Sequence, residues 1–347
     1  MWTFFKIINF IWLLTSTWLW VTTYVPMYPM LILVNVLMIF CLTMLPFKIE
    51  FSRQTGLIAL AITLMTVWQC WCSGFMVAGY TLLCYMPALY LTLLPGENMK
   101  DLLRFSTKWL AILLIPALLI YWSLFFISLP SIGKFIHPVY VPFENYIFYL
   151  KTTWDNGVVT RFNAFLLEPG HLALLCTFML IANRYRIREC KWLAVLVISI
   201  LFSFSLAGYL LAFVGFVLLK VDTIWKALCV GILTAVAIVG IQTFAGEDSS
   251  LNKLILERLE RDENQGIKGN NRFSGDTDFV YERAERTGEA WTGISEKVNM
   301  DLVTGAGYKI YVIQYGFVGV LLALLIYLTL IPPHPDYSCL LYTSDAA

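Results

Sequence analysis

Apolar residues in this chain run in long unbroken stretches and do not alternate with polar ones. The stretches fall at 7–25, 27–45, 57–72, 74–94, 110–129, 171–183, 192–205, 206–220, 225–244 and 308–330. About 20 apolar residues carry a helix across the hydrocarbon core. Only helices and closed barrels satisfy their backbone there, and barrel strands would alternate. The pattern therefore predicts an all-α, polytopic membrane protein. We expect about ten transmembrane helices in a single domain over residues 1–331. The runs at 171–183, 192–205 and 206–220 are short, which predicts tilted or broken helices. The first run has no small-residue cleavage site and a second span follows at once, so it is read as an uncleaved first helix.

Basic residues then set the sidedness. Lys6 precedes the first run, and Lys48 and Arg53 separate the second from the third. Lys100, Arg104 and Lys108 separate the fourth from the fifth. Arg184, Arg186, Arg188 and Lys191 lie between the sixth and seventh, and Lys220 and Lys226 between the eighth and ninth. Every second connection is basic, which places these loops and the N-terminus in the cytoplasm by the positive-inside rule. Two long segments, 131–170 and 245–307, fall on the other side. The second holds eight basic and thirteen acidic residues. A loop that long crosses largely regardless of its charge. Within it, 251–260 and 279–292 have apolar residues at helical spacing, predicting short amphipathic helices.

Composition closes off other classes. Hydrophobic residues are 59% and charged ones 14%, and mean hydropathy is +0.73, whereas a soluble domain is about 25% charged. A soluble globule, a disordered chain, a collagen and a disulfide-rich secreted module are excluded. A net charge of +1 carries no signal for nucleic acid. The eight cysteines lie mostly in apolar runs, and Cys70-x-Cys72 is neither a zinc nor a redox spacing, so they read as packing residues.

Signatures of nucleotide, zinc-protease and serine-hydrolase chemistry are missing. The most informative stretch is Arg161-Phe-Asn-Ala-Phe-Leu-Leu-Glu168-Pro169-Gly170-His171, at the outer mouth of the sixth span. Pro169 suits the first turn of a helix, and the helix dipole favours the Glu168 anion beside it. This stretch supports two readings. One is an interfacial cap with a Glu168–Arg161 pair. The other is a pocket lined by a cation and a carboxylate, facing an anionic lipid head group. A second stretch, Arg272 to Arg286, carries Tyr281 and Arg283. Its arginines suit phosphate oxygens, and its mixed charge also suits a solvated face. A third stretch joins Gly305-Ala306-Gly307-Tyr308 to Gln314-Tyr315-Gly316-Phe317-Val318-Gly319, small residues that by themselves indicate close helix packing. Ser203-Phe-Ser205-Leu-Ala-Gly208-Tyr209 reads as a tight turn between two short spans.

Taken in order, Phe-Leu-Leu-Glu-Pro-Gly-His, Phe-Ser-Leu-Ala-Gly-Tyr, a long outer loop with Asn-Arg, Thr-Gly-Ala-Gly-Tyr and Tyr-Gly-Phe-Val-Gly resemble the O-antigen polymerase and ligase family of bacterial envelope proteins. The resemblance covers roughly residues 155–325. It implies a glycosyltransferase of the inner membrane that acts at the periplasmic face. The donor would be an undecaprenyl-diphosphate-linked oligosaccharide, with no cofactor and no metal. Expected partners are this lipid-linked donor, membrane lipids and a chain-length regulator. The resemblance assigns catalysis to Arg161, Glu168 and His171, and substrate binding to Arg272, Tyr281, Arg283, Arg286, Gly305 and Gly307. The ligase branch has a histidine before the Gly-x-x-Gly span, where this chain reads Gly305-Ala306-Gly307, which favours a polymerase of O-antigen or capsule type. A ligase, another lipid-linked glycan transferase and a polar-lipid transporter or flippase are the rival readings.

The last apolar run stops at Ile331. Pro332 to Ala347 reads as translated adapter sequence, and the expectation is a truncated gene with a non-native tail over 332–347.

Overall fold

The computed structural model describes residues 1–15, 25–45, 51–135, 142–152, 161–220, 261–262, 266–267, 275–294 and 307–329. It is mostly helical, with few strands. The helices are α1 (Trp2–Thr15), α2 (Met27–Met44), α3 (Arg53–Ser73), α4 (Phe75–Leu91), α5 (Gly96–Ser123), α6 (Pro169–Ala182), α7 (Trp192–Ser203), α8 (Leu206–Lys220), α9 (Gly275–Thr287) and α10 (Gly307–Thr329). The strands are β1 (Gly133–Phe135), β2 (Phe143–Asn145), β3 (Leu150–Thr152), β4 (Arg261–Asp262) and β5 (Gly266–Ile267). Among the described residues four helices are long and apolar enough to cross a membrane: Met27–Met44, Arg53–Ser73, Gly96–Ser123 and Tyr308–Thr329. Five more are apolar but shorter, α6 to α8 among them. This is a membrane protein. The predicted span at 225–244 and the amphipathic stretch at 251–260 lie outside the described residues.

The chain packs as two compact units. One contains α2, α3, α4, α9 and α10. In it α3 starts earlier than its apolar run, because Ser52 caps it. The Ser52 hydroxyl accepts from the Thr55 N–H at 3.0 Å, one of the orphan donors every helix start leaves. Ile58, Ile62 and Met65 are fully or almost fully buried at helical spacing, against Ile326, Leu322 and Tyr311 of α10. The two helices run antiparallel. The Gln54 side chain donates to the Thr329 carbonyl at 3.0 Å, and the Trp68 indole donates to the Tyr315 carbonyl at 2.8 Å. Asn35 of α2, inside the bundle, donates to Leu83 of α4 at 3.0 Å.

The second unit holds α1 from Lys6 onward, most of α5, β1 to β3, and α6 to α8. Helix α5 begins well before its apolar run, with Lys100, Arg104 and Lys108 in its early turns and Asp101 bonded to Lys6 at 2.9 Å. Leu110, Leu114, Ala117 and Tyr121 of α5 bury against Leu172, Cys176 and Leu180 of α6 and Leu193, Leu196 and Ile200 of α7. Helices α6 and α8 lie side by side and parallel, with α7 as the return. A Cβ on Gly208 would sit 2.3 Å from the Ala173 Cβ, and one on Gly215 would sit 2.8 Å from Ile181. Small residues let membrane helices approach this closely. Gly208→Ala should therefore lower the thermal stability of detergent-solubilised protein by about 1–3 kcal/mol, the usual cost of overpacking. Gly56→Ala, where a Cβ meets nothing within 4 Å, should leave stability unchanged or slightly raised. Equal effects at the two positions would contradict the α6–α8 contact.

Among the described residues of the predicted outer segment 131–170, three short strands precede the start of α6. Strands β1, β2 and β3 form an antiparallel meander with Phe135 opposite Phe143 and Asn145 opposite Leu150. Phe135, Phe143 and Leu150 are buried together with Leu167 packed on them. Aromatic side chains fit a pleated surface better than a helix. Beyond the sheet, Tyr121 is ringed by Tyr149, Phe162, Phe202 and Phe125 at centroid distances of 5.2–5.9 Å. That aromatic cluster seats the connecting segment on the ends of α5 and α7.

Candidate functional site

Glu168 stands at the N-cap of α6 in extended conformation, and Pro169 fills the first helical position. The Glu168 carbonyl accepts from the His171 N–H at 3.1 Å, while its carboxylate does not cap the helix. His171 is exposed one residue beyond Gly170. The sequence reading placed these groups at a helix mouth, and the structure agrees in that respect.

Arg161 has a destination that spacing alone could not supply. Its Nε donates to the Ser203 carbonyl at 3.1 Å and an Nη to the Phe204 carbonyl at 2.9 Å. The neighbouring Phe162 N–H donates to the Phe202 carbonyl at 2.9 Å. The half-buried guanidinium thus caps the C-terminus of α7, where orphan carbonyls and the negative end of the helix dipole favour a cation. Phe204 ends that helix in the left-handed region, with φ 45° and ψ 41°. Ser205 then starts α8, and its hydroxyl accepts from the Gly208 N–H at 3.3 Å. Gly170 of α6 faces the same hydroxyl, which lies 3.8 Å from where its Cβ would be. Two parallel helix starts therefore stand beside each other at the end of the unit that carries Arg161. Helix N-termini present N–H groups and positive potential to anions.

Asn163 belongs to this corner and was missed by the sequence reading. It is 1% exposed and donates to the Leu166 carbonyl at 2.8 Å. Its Oδ1 has no hydrogen-bond partner. A lone asparagine inside an apolar stretch was the available signal. The Ser203–Tyr209 turn was recognised from sequence, but its contact with Arg161 was not.

The remaining predicted residues that the structure describes, Tyr281, Arg283, Arg286 and Gly307, lie in the other unit. Tyr281 on α9 is half-buried, edge-on to Tyr308 at 6.3 Å, with the Lys309 ammonium 5.4 Å from its ring centre. Burial, then the Glu285 carboxylate bonded to it, pushes the Tyr281 phenol up. Arg283 and Arg286 are exposed, and Arg286 pairs with Glu282 one turn earlier at 3.4 Å. Gly307 opens α10. Arg272 and Gly305 lie outside the described residues. Among the described residues no group of three or more His, Cys, Asp and Glu side chains is placed to hold a metal ion.

In the same unit α10 is broken. Gly316 takes φ 65° and ψ 179° in the middle of the helix. A short 3₁₀ turn after α9, Glu289–Trp291, docks onto the break. The Ile294 N–H donates to the Ile313 carbonyl at 2.9 Å, and the Cys72 thiol to the Thr292 carbonyl at 3.4 Å. A Cβ on Gly316 would sit 2.2 Å from the Trp291 carbonyl oxygen, and one on Gly293 would sit 2.6 Å from that of Gln314. The close packing expected of Gly316 from the sequence is present, and the backbone conformation there is a second requirement for glycine that the sequence did not show.

Comparison with family profiles, curated proteins and solved structures gives no match for this chain.

Proposed function

We propose that this protein polymerises lipid-linked polysaccharide repeat units at the outer face of a bacterial inner membrane, with its N-terminus in the cytoplasm. One observation carries the reading. Arg161 and the Glu168-Pro-Gly helix start converge on the Ser203–Gly208 turn, although these motifs are about forty residues apart in the chain. The guanidinium beside two helix starts is a suitable receptor for the diphosphate of an undecaprenyl-linked donor. In the proposed step an acceptor sugar hydroxyl attacks the anomeric carbon of the donor and the bond to the diphosphate oxygen breaks. Positive charge held in place stabilises the leaving group as its charge grows. Glu168 or His171 takes the hydroxyl proton. Tyr281, Arg283, Arg286 and Gly307, with Arg272 and Gly305, are assigned to glycan or lipid contact on the outer loop. Membrane lipids and a chain-length regulator are the proposed partners.

Purified protein incubated with a synthetic undecaprenyl-diphosphate repeat unit should release undecaprenyl diphosphate and build a ladder of longer glycans. Release of the lipid with transfer to lipid A core only would make it a ligase instead. The break in α10 favours one rival. Discontinuous membrane helices are a feature of transporters, and movement of the donor across vesicles without ladder formation would replace the polymerase by a polar-lipid flippase.

A further inference from the structure

The turn seated in the break of α10 is bonded to two helices long and apolar enough to span a membrane, α3 and α10. We infer that Gly288–Ile294 is an interfacial anchor, with the Trp291 indole lodged in the lipid layer beside the Cys72 end of α3 and the break in α10. This inference is independent of the glycan-transfer reading.

The turn is bracketed by residues of two spans. Ile294 bonds Ile313, and Thr292 bonds Cys72. Trp71, adjacent to Cys72 on α3, is 84% exposed and faces lipid if α3 spans. Trp291 precedes Thr292, the residue bonded to Cys72, and its ring is edge-on to Phe317 at 5.5 Å, yet it remains 61% exposed. An indole combines an apolar ring with a polar N–H, and tryptophan is enriched at the membrane–water boundary for that reason.

The backbone supports the same placement. Non-helical backbone at membrane depth is tolerated only where its polar groups are satisfied. The N–H groups of Trp291, Thr292 and Gly293 donate to Gly288 and Glu289 carbonyls, and that of Ile294 to Ile313, at 2.8–3.3 Å. The exposed face of α9 carries both signs, with Glu282 and Glu285 against Arg283 and Arg286. Attraction to anionic head groups is therefore not the driving term. The occupant is the apolar boundary of the bilayer itself.

The test uses the full chain in vesicles of pure phosphatidylcholine, with a fluorescent amino acid incorporated at 291, 292, 286 or 71. Quenching is read from a shallow doxyl lipid and from iodide on both sides of the vesicle. Positions 291 and 292 should follow position 71, with several-fold stronger lipid quenching than position 286 and weaker iodide quenching. Position 292 guards against disturbance of the Trp291 packing, since Thr292 is exposed and its backbone makes the anchoring bonds. Positions 291 and 292 behaving like 286 would overturn the anchor. Lipid quenching that appears only after phosphatidylglycerol is added would also overturn it, by showing electrostatic attachment.

Discussion

Gly316→Ala should be among the most damaging single-methyl changes this chain can suffer. The φ and ψ of Gly316 belong to a region that is essentially glycine-only, and strain there costs about 1–3 kcal/mol. The added methyl would also meet the Trp291 carbonyl group and the Thr292 nitrogen at 2.2–2.5 Å. Those are backbone atoms, which cannot rotate away as a flexible side chain would. Alanine also favours a continuous helix, so α10 should straighten and expel the turn. The expected readouts are a marked drop in thermal midpoint and new protease cleavage between Thr287 and Ile294. Gly288→Ala is the internal control, because Gly288 has φ +80° but open space around its missing Cβ. It should show the strain without the collision. Gly293→Ala should resemble Gly316→Ala, and the double variant should cost less than the sum, since both remove one shared contact. A Gly316→Ala protein no less stable than Gly288→Ala would refute the interlock.

Glu168→Gln should abolish glycan transfer while leaving the protein folded and inserted. The amide keeps the size of the side chain and one acceptor oxygen while removing the charge at the helix start, where the carboxylate does not cap α6. Arg161 is a less clean probe, because its guanidinium also holds the Ser203 and Phe204 carbonyls. Arg161→Ala should therefore lower both abundance and specific activity. The activity loss should be about a hundredfold, on the order of 3 kcal/mol, as for removal of one donor to a developing anion. Arg161→Lys should recover abundance better than activity, since an ammonium supplies charge without the two-pronged fork. The measurement is polymer formed per unit of inserted protein. Normal specific activity in Glu168→Gln and Arg161→Lys would leave these residues as architecture only.

Much of the helical layout was legible because hydrophobic burial and backbone satisfaction act locally along a membrane helix. The runs predicted at 27–45, 74–94, 171–183, 192–205, 206–220 and 308–330 agree closely with α2, α4, α6, α7, α8 and α10. The start of α5 was missed because its early turns are charged, and a span search sees apolar length only. The meander at 133–152 was missed because three-residue strands carry too little periodicity to separate from a loop.

Within the candidate site the division is sharper. Glu168-Pro169-Gly170 as a helix start follows from local chemistry, since proline fixes φ and lacks the N–H that a first turn leaves unused. The sequence by itself also determined the membrane class and most of the helices. Only tertiary structure decided that Arg161 closes the end of α7, that Gly208 brings α6 and α8 together in parallel, and that the break at Gly316 is filled by the Gly288–Ile294 turn. The first and last of those outcomes depend on backbone carbonyls and N–H groups, which nearly all residues carry alike, and the second on a Cβ that glycine lacks. Their partners are set by which distant segments pack together, and no side-chain pattern along the chain encodes that choice.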